Sequence, residues 1–495
     1  MKLTSLALSL SLLTGVAAMA QDVRTLDNAT LSGDETIETP IGVIELQDNF
    51  VTDASVQALF DEMDYQRAVQ SFIWAAPLVG YKQWQIAQNE AFEASEVTDF
   101  AVLVSLNEKG GILTPNLTTP YVINFTNLAE GPVFIEVPAA PMAGMLMDAW
   151  QRPVADIGQT GPDKGEGGTY LIVGPEDDLK AYEGEADFVL QSATNNLFIG
   201  VRILDASPEA AEAVKAGLKL ARHGEEPRPA TPIIGKDPVW SATPPRGLGY
   251  WEVLHAVLQE EPVREQDKVW MAMLEPLGIK KGEPFAPDER QAKILTRGAT
   301  MGELMLRNMQ TNPRFAEPWW EGTSWYKSFD FTVPQITDER VELDERGVWF
   351  YEAVTSSEGM VNPKPGVGQV YMTTKRDANG ELVRADKTYK LSVPADAPVS
   401  NFWSLTLYSE DTRRPYDNGG TEVTDASLDS RMEQLQRNDD GSVDLFIGPS
   451  APEGMESNHL ATAEDDGWFV YFRLYGPEEA FFDKSFALPD LEPVN

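Results

Sequence analysis

From Asn401 onward the chain is a succession of short aromatic and β-branched runs. Asn401-Phe402-Trp403-Ser404-Leu405-Thr406-Leu407-Tyr408 and Trp468-Phe469-Val470-Tyr471-Phe472-Arg473-Leu474-Tyr475 are two of them. Val443-Asp444-Leu445-Phe446-Ile447 alternates apolar and polar positions between the turn Asp439-Asp440-Gly441-Ser442 and Gly448-Pro449. Runs of this length bounded by Gly, Pro and Asp predict strands. At least three of them in this stretch predict half of a β-sandwich, jelly-roll-like in style. Trp349-Phe350-Tyr351 and Val370-Tyr371-Met372-Thr373-Thr374 open the same domain, and Asp377-Ala378-Asn379-Gly380 is a hairpin-type turn before the strand Thr388 to Val393.

Upstream the period changes twice. Ser55 to Phe60 and Tyr65 to Ala87 keep apolar residues at helical spacing, with Asp53 as a cap, and predict two helices. From Ala101 the period drops to two, in Val102-Leu103-Val104, Tyr121 to Phe125, Val133 to Val137, Tyr170 to Val173 and Phe198 to Arg202. Ser207-Pro208-Glu209 then starts a helix expected to reach Arg222. After a proline-rich passage, Tyr250 to Leu258, Val269 to Leu277 and Asp288 to Met309 return to helical spacing. The pattern predicts an α+β chain, mainly β, in five parts. These are a leader at 1–20, an entry arm at 21–50, a strand-rich N-terminal domain preceded by helices at 51–205, a helical insert and connector at 206–325, and the C-terminal β-sandwich at 326–495.

The leader rests on Lys2, the apolar run Leu6 to Val16 and Ala18-Met19-Ala20 before Gln21, which match a secretory signal. The run is too short to span a bilayer, so a soluble periplasmic or secreted protein is expected, without membrane insertion once the signal is removed. Acidic residues outnumber basic ones 78 to 39, a formal charge of −39, which makes nucleic acid a poor partner. Cysteine is absent, which excludes thiol nucleophiles, iron–sulfur clusters and thiolate zinc sites.

Most familiar chemistries lack their residues. There is no G-x-S-x-G, and the three histidines, His223, His255 and His459, are isolated in sequence, so no converging imidazole set for a metal is expected. Asn438-Asp439-Asp440-Gly441 lacks the glutamate that closes a calcium loop, because Ile447 occupies that place. Gly161 to Gly168 runs into a strand rather than a helix and reads as a surface loop, not a phosphate cradle. No metal or cofactor is expected. His255 lies on an apolar helical face and reads as a packing histidine.

Two groups of polar residues set among aromatics remain. One is Asn116, Thr118, Thr119, Tyr121, Trp150, Gln151, Arg152 and Asp156; the other is Trp403, Tyr408, Thr412, Arg413, Asn458, His459 and Arg473. Arginine beside tryptophan offers a flat face and an anion clamp, the kind of polar set that orients a ligand in an apolar pocket. The alternative is that these arginines lock loops at sheet ends by pairing with carboxylates or carbonyls.

Several of these residues fall in longer motifs. Phe402-Trp403-Ser404, Thr412-Arg413, Asp440-Gly441-Ser442-Val443-Asp444 and Trp468-Phe469 through Gly476-Pro477 resemble the bacterial domain of unknown function 1214. Ala68 through Pro77, Thr114-Pro115-Asn116-Leu117-Thr118-Thr119-Pro120-Tyr121 and Trp150-Gln151-Arg152-Pro153 through Gly165 resemble its usual N-terminal partner, domain of unknown function 1254. The resemblance implies fold rather than reaction. The expectation is a protein that binds or acts on a small oxygenated or carboxylated ligand between its two β domains. Asn116, Thr118, Thr119, Trp150, Gln151, Arg152, Trp403, Thr412, Arg413, Asn458 and Arg473 would hold the ligand, and Tyr121, Asp156, Tyr408 or His459 would do acid–base work. The alternative is a non-catalytic cell-envelope module that binds a protein or polysaccharide.

Overall fold

The computed structural model describes residues 23–103, 111–118, 120–205, 207–234, 240–420, 425–463 and 465–494. The expected leader and Thr119 lie outside the described residues. The chain is mixed α+β. It forms two compact units, Met1–Gln66 and Arg67–Asn495. In the first, the expected entry arm is a four-stranded sheet in the order Val23–Thr25, Glu35–Thr39, Gly42–Gln47, Phe50–Val51, with Ile37, Ile44 and Leu46 buried.

The two helices expected after residue 52 are one helix of 40 residues, α1 (Asp53–Phe92). The polar stretch that suggested a break stays helical because its side chains pair four residues apart, Gln57 donating to Asp61 at 2.7 Å and Gln66 to Glu62 at 2.8 Å. Further helices are α2 (Pro208–Gly217), α3 (Leu248–Glu260), α4 (Lys268–Leu274), α5 (Glu289–Thr311) and α6 (Leu343–Glu352). Ser207 caps α2 as expected, but the helix stops at Gly217 and not at Arg222. Lys219–Arg222 instead pairs as a strand with Val133–Val137, a tertiary pairing that outweighs local helix propensity. Trp349-Phe350-Tyr351 belong to α6. That helix is buried on nearly every side, so no apolar–polar period marks it in the sequence. Among the described residues no helix is long and apolar enough to cross a membrane.

The N-terminal domain packs two sheets on one core. The larger runs Thr231–Ile233, Asp99–Leu103, Tyr121–Asn127, Asn196–Ile203, Met142–Asp148, Pro153–Gly158; the smaller runs Phe188–Gln191, Gly168–Val173, Val133–Val137, Lys219–Arg222, Arg228–Pro229. Leu146, Ile157, Leu197 and Ile199 of the first meet Ile135, Tyr170 and Ile172 of the second. The C-terminal domain repeats the plan. A five-stranded sheet, Tyr326–Lys327, Gln369–Thr374, Trp468–Pro477, Val399–Ser409, Ser427–Asp429, shares a core with a four-stranded sheet, His459–Ala461, Val443–Gly448, Thr388–Val393, Glu492–Val494. The run Gly161 to Gly168 is a turn pinned by buried Asp163, whose Oδ1 accepts from Gly158 N at 2.8 Å and Tyr170 OH at 2.6 Å.

Strand alternation decides which side chains are left for function. Along Trp468–Pro477, Val470, Phe472 and Leu474 enter the shared core, so Phe469, Tyr471, Arg473 and Tyr475 face the opposite way. By the same rule Met372 goes inward and Tyr371 outward, and Leu405 and Leu407 go inward while Thr406 and Tyr408 go outward. In the N-terminal domain Leu197, Ile199 and Val201 are core, leaving Phe198, Gly200 and Arg202 on the other face.

Candidate functional site

The two outward faces enclose a cavity of about 660 Å³. Trp84, Tyr121, Met145, Phe198 and Arg202 line it from the N-terminal side; Trp349, Tyr371, Phe402, Arg431, Tyr471, Arg473 and Tyr475 line it from the C-terminal side. Gly200 matters to its shape. A Cβ there would lie 2.4 Å from the Phe198 ring, so any side chain would displace that wall.

Arg473 is the buried cation of this cavity, 1% exposed. Its Nη2 donates to the Thr114 carbonyl at 2.9 Å and its Nη1 to Thr406 Oγ1 at 3.3 Å, while its buried Nε has no hydrogen-bond partner. The rings of Tyr371, Tyr471 and Tyr408 lie with centroids 5.0, 5.1 and 5.5 Å from the guanidinium carbon. Arg202 lies 5.5 Å from the centre of the Tyr121 ring, its partner across the sheet register. Arg431 is stacked 3.6 Å over Phe402 and is bound in bidentate fashion by Asp429, both bonds 3.0 Å. No aspartate or glutamate is among the described residues that line the cavity.

The segment before Tyr121 folds over this site. Thr114 is held at φ +40°, an unusual angle for a β-branched residue. Buried Asn116 donates through its backbone N to Tyr121 OH at 2.9 Å and through its side chain to the same oxygen, and its Oδ1 accepts from Thr118 Oγ1 at 2.8 Å. Thr118 Oγ1 in turn lies 3.3 Å from Tyr475 OH, linking the two domains. Of the residues expected at a site, Asn116, Tyr121 and Arg473 therefore converge here. Tyr408 stands directly behind Arg473, buried, its hydroxyl donating to Pro115 O at 2.5 Å, with burial holding its phenol above the ordinary range.

Asp156 stands behind the cavity wall. Its Oδ2 accepts from Gly359 N at 3.3 Å, its Oδ1 is buried without a partner, and Gly359 and Thr160 line the cavity in front of it. Burial pushes this carboxyl up to about 6, against the pull of the Gly359 N–H. Because its folded pKa is above the ordinary 3.8, the fold binds this proton more tightly than the unfolded chain. The contribution of Asp156 to stability therefore falls as pH rises from about 4 through about 6, and is flat above that. Asp156→Asn should be more stable than wild type at pH 7.5 by on the order of 2–3 kcal/mol and equal to it below pH 4. Urea unfolding at both pH values measures this; parallel pH profiles would mean the carboxyl titrates normally.

The other expected residues are placed elsewhere. Trp150, Gln151 and Arg152 form a turn closed on Asp148, whose Oδ1 accepts the N–H groups of Trp150 and Arg152 at 2.9 and 3.0 Å. Arg152 Nε and Nη2 donate to Asp148 Oδ2 at 2.8 and 2.5 Å, so this guanidinium is already bound to a carboxylate. The Trp150 indole packs against Trp74 and under Arg264 and Arg346. Gln151, fully buried at φ +58°, donates 2.8 Å to Pro77 O in α1 and accepts from Thr355 N, also at 2.8 Å. Trp403 is in the sandwich core, stacked on Phe472. Buried Asn458 ties Gln436 to Asp444 with three bonds of 2.8–2.9 Å. His459 is half-buried with Nε2 2.8 Å from Gly448 O, beside a different depression. Its imidazole is held below its ordinary pKa by burial. Thr412 and Arg413 line a smaller cavity described below. His255, expected to pack, lies against Phe285 with Nε2 2.8 Å from Glu283 O.

Arg202, Tyr371, Tyr475 and Trp349 were not picked out by sequence. One signal was available for the first, a charge at the end of the apolar strand Phe198 to Arg202.

Two family models match the chain. One, described as a protein of unknown function (DUF1254), covers residues 98–222; the other, described as a protein of unknown function (DUF1214), covers residues 368–479. No curated protein matches it. Among solved structures it is similar to the VPA0106 protein from Vibrio parahaemolyticus, at 16% identity over 87% of this chain and 100% of that one, with a TM-score of 0.50. It is also similar to an uncharacterised protein from Burkholderia cenocepacia, at 12% identity over 89% and 97% of the two chains, with a TM-score of 0.39. At such identities the first likeness concerns the fold alone. The chain thus carries a region that matches domain of unknown function 1254 followed by one that matches domain of unknown function 1214.

Proposed function

We propose that this protein binds a small organic anion with an apolar body in the cavity between its two β domains, with the anionic group held at Arg473. The observation that carries the reading is the charge of the lining. In a chain of formal charge −39, this cavity presents three arginines and no carboxylate among its described residues. Asp429 already neutralises Arg431, whereas Arg473 has only a carbonyl and a hydroxyl as hydrogen-bond partners among the described residues, so an arriving carboxylate completes its coordination. Trp84, Phe198, Trp349 and Phe402 supply the apolar wall that such pockets use for the body of a ligand. Asp156 behind the wall, with its raised pKa, is the group placed to exchange a proton if the bound molecule reacts. Export through the leader, and a jelly-roll-like C-terminal scaffold, belong to the same reading.

The test uses benzoate and benzamide as probes, one ring with and without the charge. Calorimetric titration should give saturable benzoate binding and affinity for benzamide at least thirtyfold weaker. Equal affinities, or no binding of benzoate, would sink the proposal. Comparison of native and denaturing mass spectra of protein from its own source would then show the mass of the natural ligand.

A second reading, as an interaction module, draws on the first unit. There Phe50 and Leu31 are 77% and 68% exposed, and Val56, Leu59, Phe60 and Met63 form an exposed stripe on α1. It concerns a different part of the chain and is compatible with a ligand cavity.

A further inference from the structure

We infer that the chain carries a second anion site, separate from the interdomain cavity, at the turn Thr412-Arg413-Arg414, and that it takes a small oxyanion of phosphate or sulfate size. The turn follows the strand Val399–Ser409 and lines a cavity of about 250 Å³ that also meets Arg246, Glu303 and Tyr351.

Local geometry aims the arginines at this space. Ser409 Oγ accepts the N–H of Thr412 at 3.0 Å, and Arg413 turns back at φ +56° with its own N–H on Ser409 O at 2.9 Å. The Arg413 guanidinium, buried at 2% exposure, lies 4.4 Å from the Tyr351 ring centre. It donates to two main-chain carbonyls, Tyr351 O at 3.3 Å from Nε and Asp411 O from Nη1. Arg414 donates Nη1 to Trp240 O at 2.9 Å, and its buried Nε has no partner. Arg414 feels the charge of the Asp417 carboxylate, while Arg413 is held by carbonyls.

Charge balance makes these contacts informative. On the facing side Arg246 binds Glu303 at 3.0 Å and Asp411 at 2.6 Å, and Arg307 binds the same two carboxylates at 2.9 and 3.3 Å. Four guanidinium groups thus stand near three carboxylates, Glu303, Asp411 and Asp417, the last acting on Arg414 through its charge, a local excess of one positive charge in a strongly acidic chain. Arginine cannot relieve this by losing a proton. Uncompensated charge away from water is costly, and an oxyanion in the adjoining space removes the excess. Planar forks carrying several N–H groups suit an oxyanion better than a monatomic halide.

The two cavities meet at one residue. Strained Thr114 donates its N–H to Arg413 O at 2.7 Å and accepts from Arg473 at 2.9 Å through its carbonyl, so the backbone that fixes one arginine also fixes the other.

The experiment is calorimetric titration of the full chain with sodium phosphate, sodium sulfate and sodium chloride at equal ionic strength, in wild type and Arg414→Gln. One oxyanion should bind saturably at one per chain, with chloride giving no saturable heat, and the preferred oxyanion identifies the natural one. Arg414→Gln should weaken that binding at least tenfold while leaving the circular-dichroism spectrum unchanged and benzoate affinity within threefold. Arg246→Gln, at an arginine with its side chain 56% exposed, should shift affinity in the same direction and serves if the first variant does not fold. Unaltered oxyanion affinity in the variant that folds, or no oxyanion binding above chloride in wild type, overturns the inference.

Discussion

Arg473→Met is expected to lower benzoate affinity by roughly 30- to 1000-fold, the loss of about 2–4 kcal/mol of charge-assisted hydrogen bonding. The same substitution should cost the fold little. The Thr114 carbonyl loses its donor, at about 1–3 kcal/mol, while a buried cation that has no carboxylate partner among the described residues is removed at the same time. Methionine fills most of the volume, so the surrounding Tyr371, Tyr408 and Tyr471 rings keep their packing. Arg431→Met is the informative comparison. That arginine lines the same cavity, yet its charge is spent on Asp429 and its side chain is half-exposed, so its loss should weaken benzoate less than tenfold. Titrations of both variants, with thermal melts as a control, measure the contrast. Equal losses would mean that the cavity attracts anions only through its general field, and that Arg473 is a structural lock.

Arg473 could be found in the sequence because a charge in the middle of Trp468 to Tyr475 has no reason to be there in an ordinary core strand. The strands that alternate cleanly were legible for the same reason, since a period of two is written locally. What the sequence could not express was which face of each strand would meet the other domain. Trp403 and Tyr408 lie in one run and are equally aromatic, but five positions apart they point to opposite faces, one into the sandwich core and the other behind Arg473. Arg152 had its answer four residues upstream in Asp148, on the neighbouring strand across a tight turn. The arginines that do flank Trp150 come from positions 264 and 346, a distance no local pattern spans. Helix α6 was hidden by its own burial, and α1 was divided at a polar stretch that its side-chain pairs hold together.

Lys375→Met is expected to destabilise the protein by about 3–5 kcal/mol at pH 8, because it strands a buried carboxylate next to the cavity. Tyr471, a cavity residue, donates its hydroxyl to Glu352 Oε1; Lys375 Nζ lies 3.6 Å from Glu352 Oε2 and donates to Glu410. The side chains of Glu352 and Lys375 are 3% and 7% exposed, while Glu410, at 27%, reaches water. Burial already raises the Glu352 pKa above its ordinary 4.5, with the Lys375 charge pulling it back. Removing that charge lets it rise further. A carboxyl with a raised folded pKa loses stability as pH climbs from its unfolded value through its folded one, so the variant's deficit should shrink towards pH 5 and grow towards pH 8. The double variant Lys375→Met, Glu352→Gln removes both charges and should recover all but about 1 kcal/mol, since an amide can still accept from Tyr471. Urea unfolding of the four proteins at pH 5 and pH 8 closes the cycle. A single variant that loses under 1 kcal/mol at pH 8, or a double variant no better than the single, would show that water already reaches Glu352.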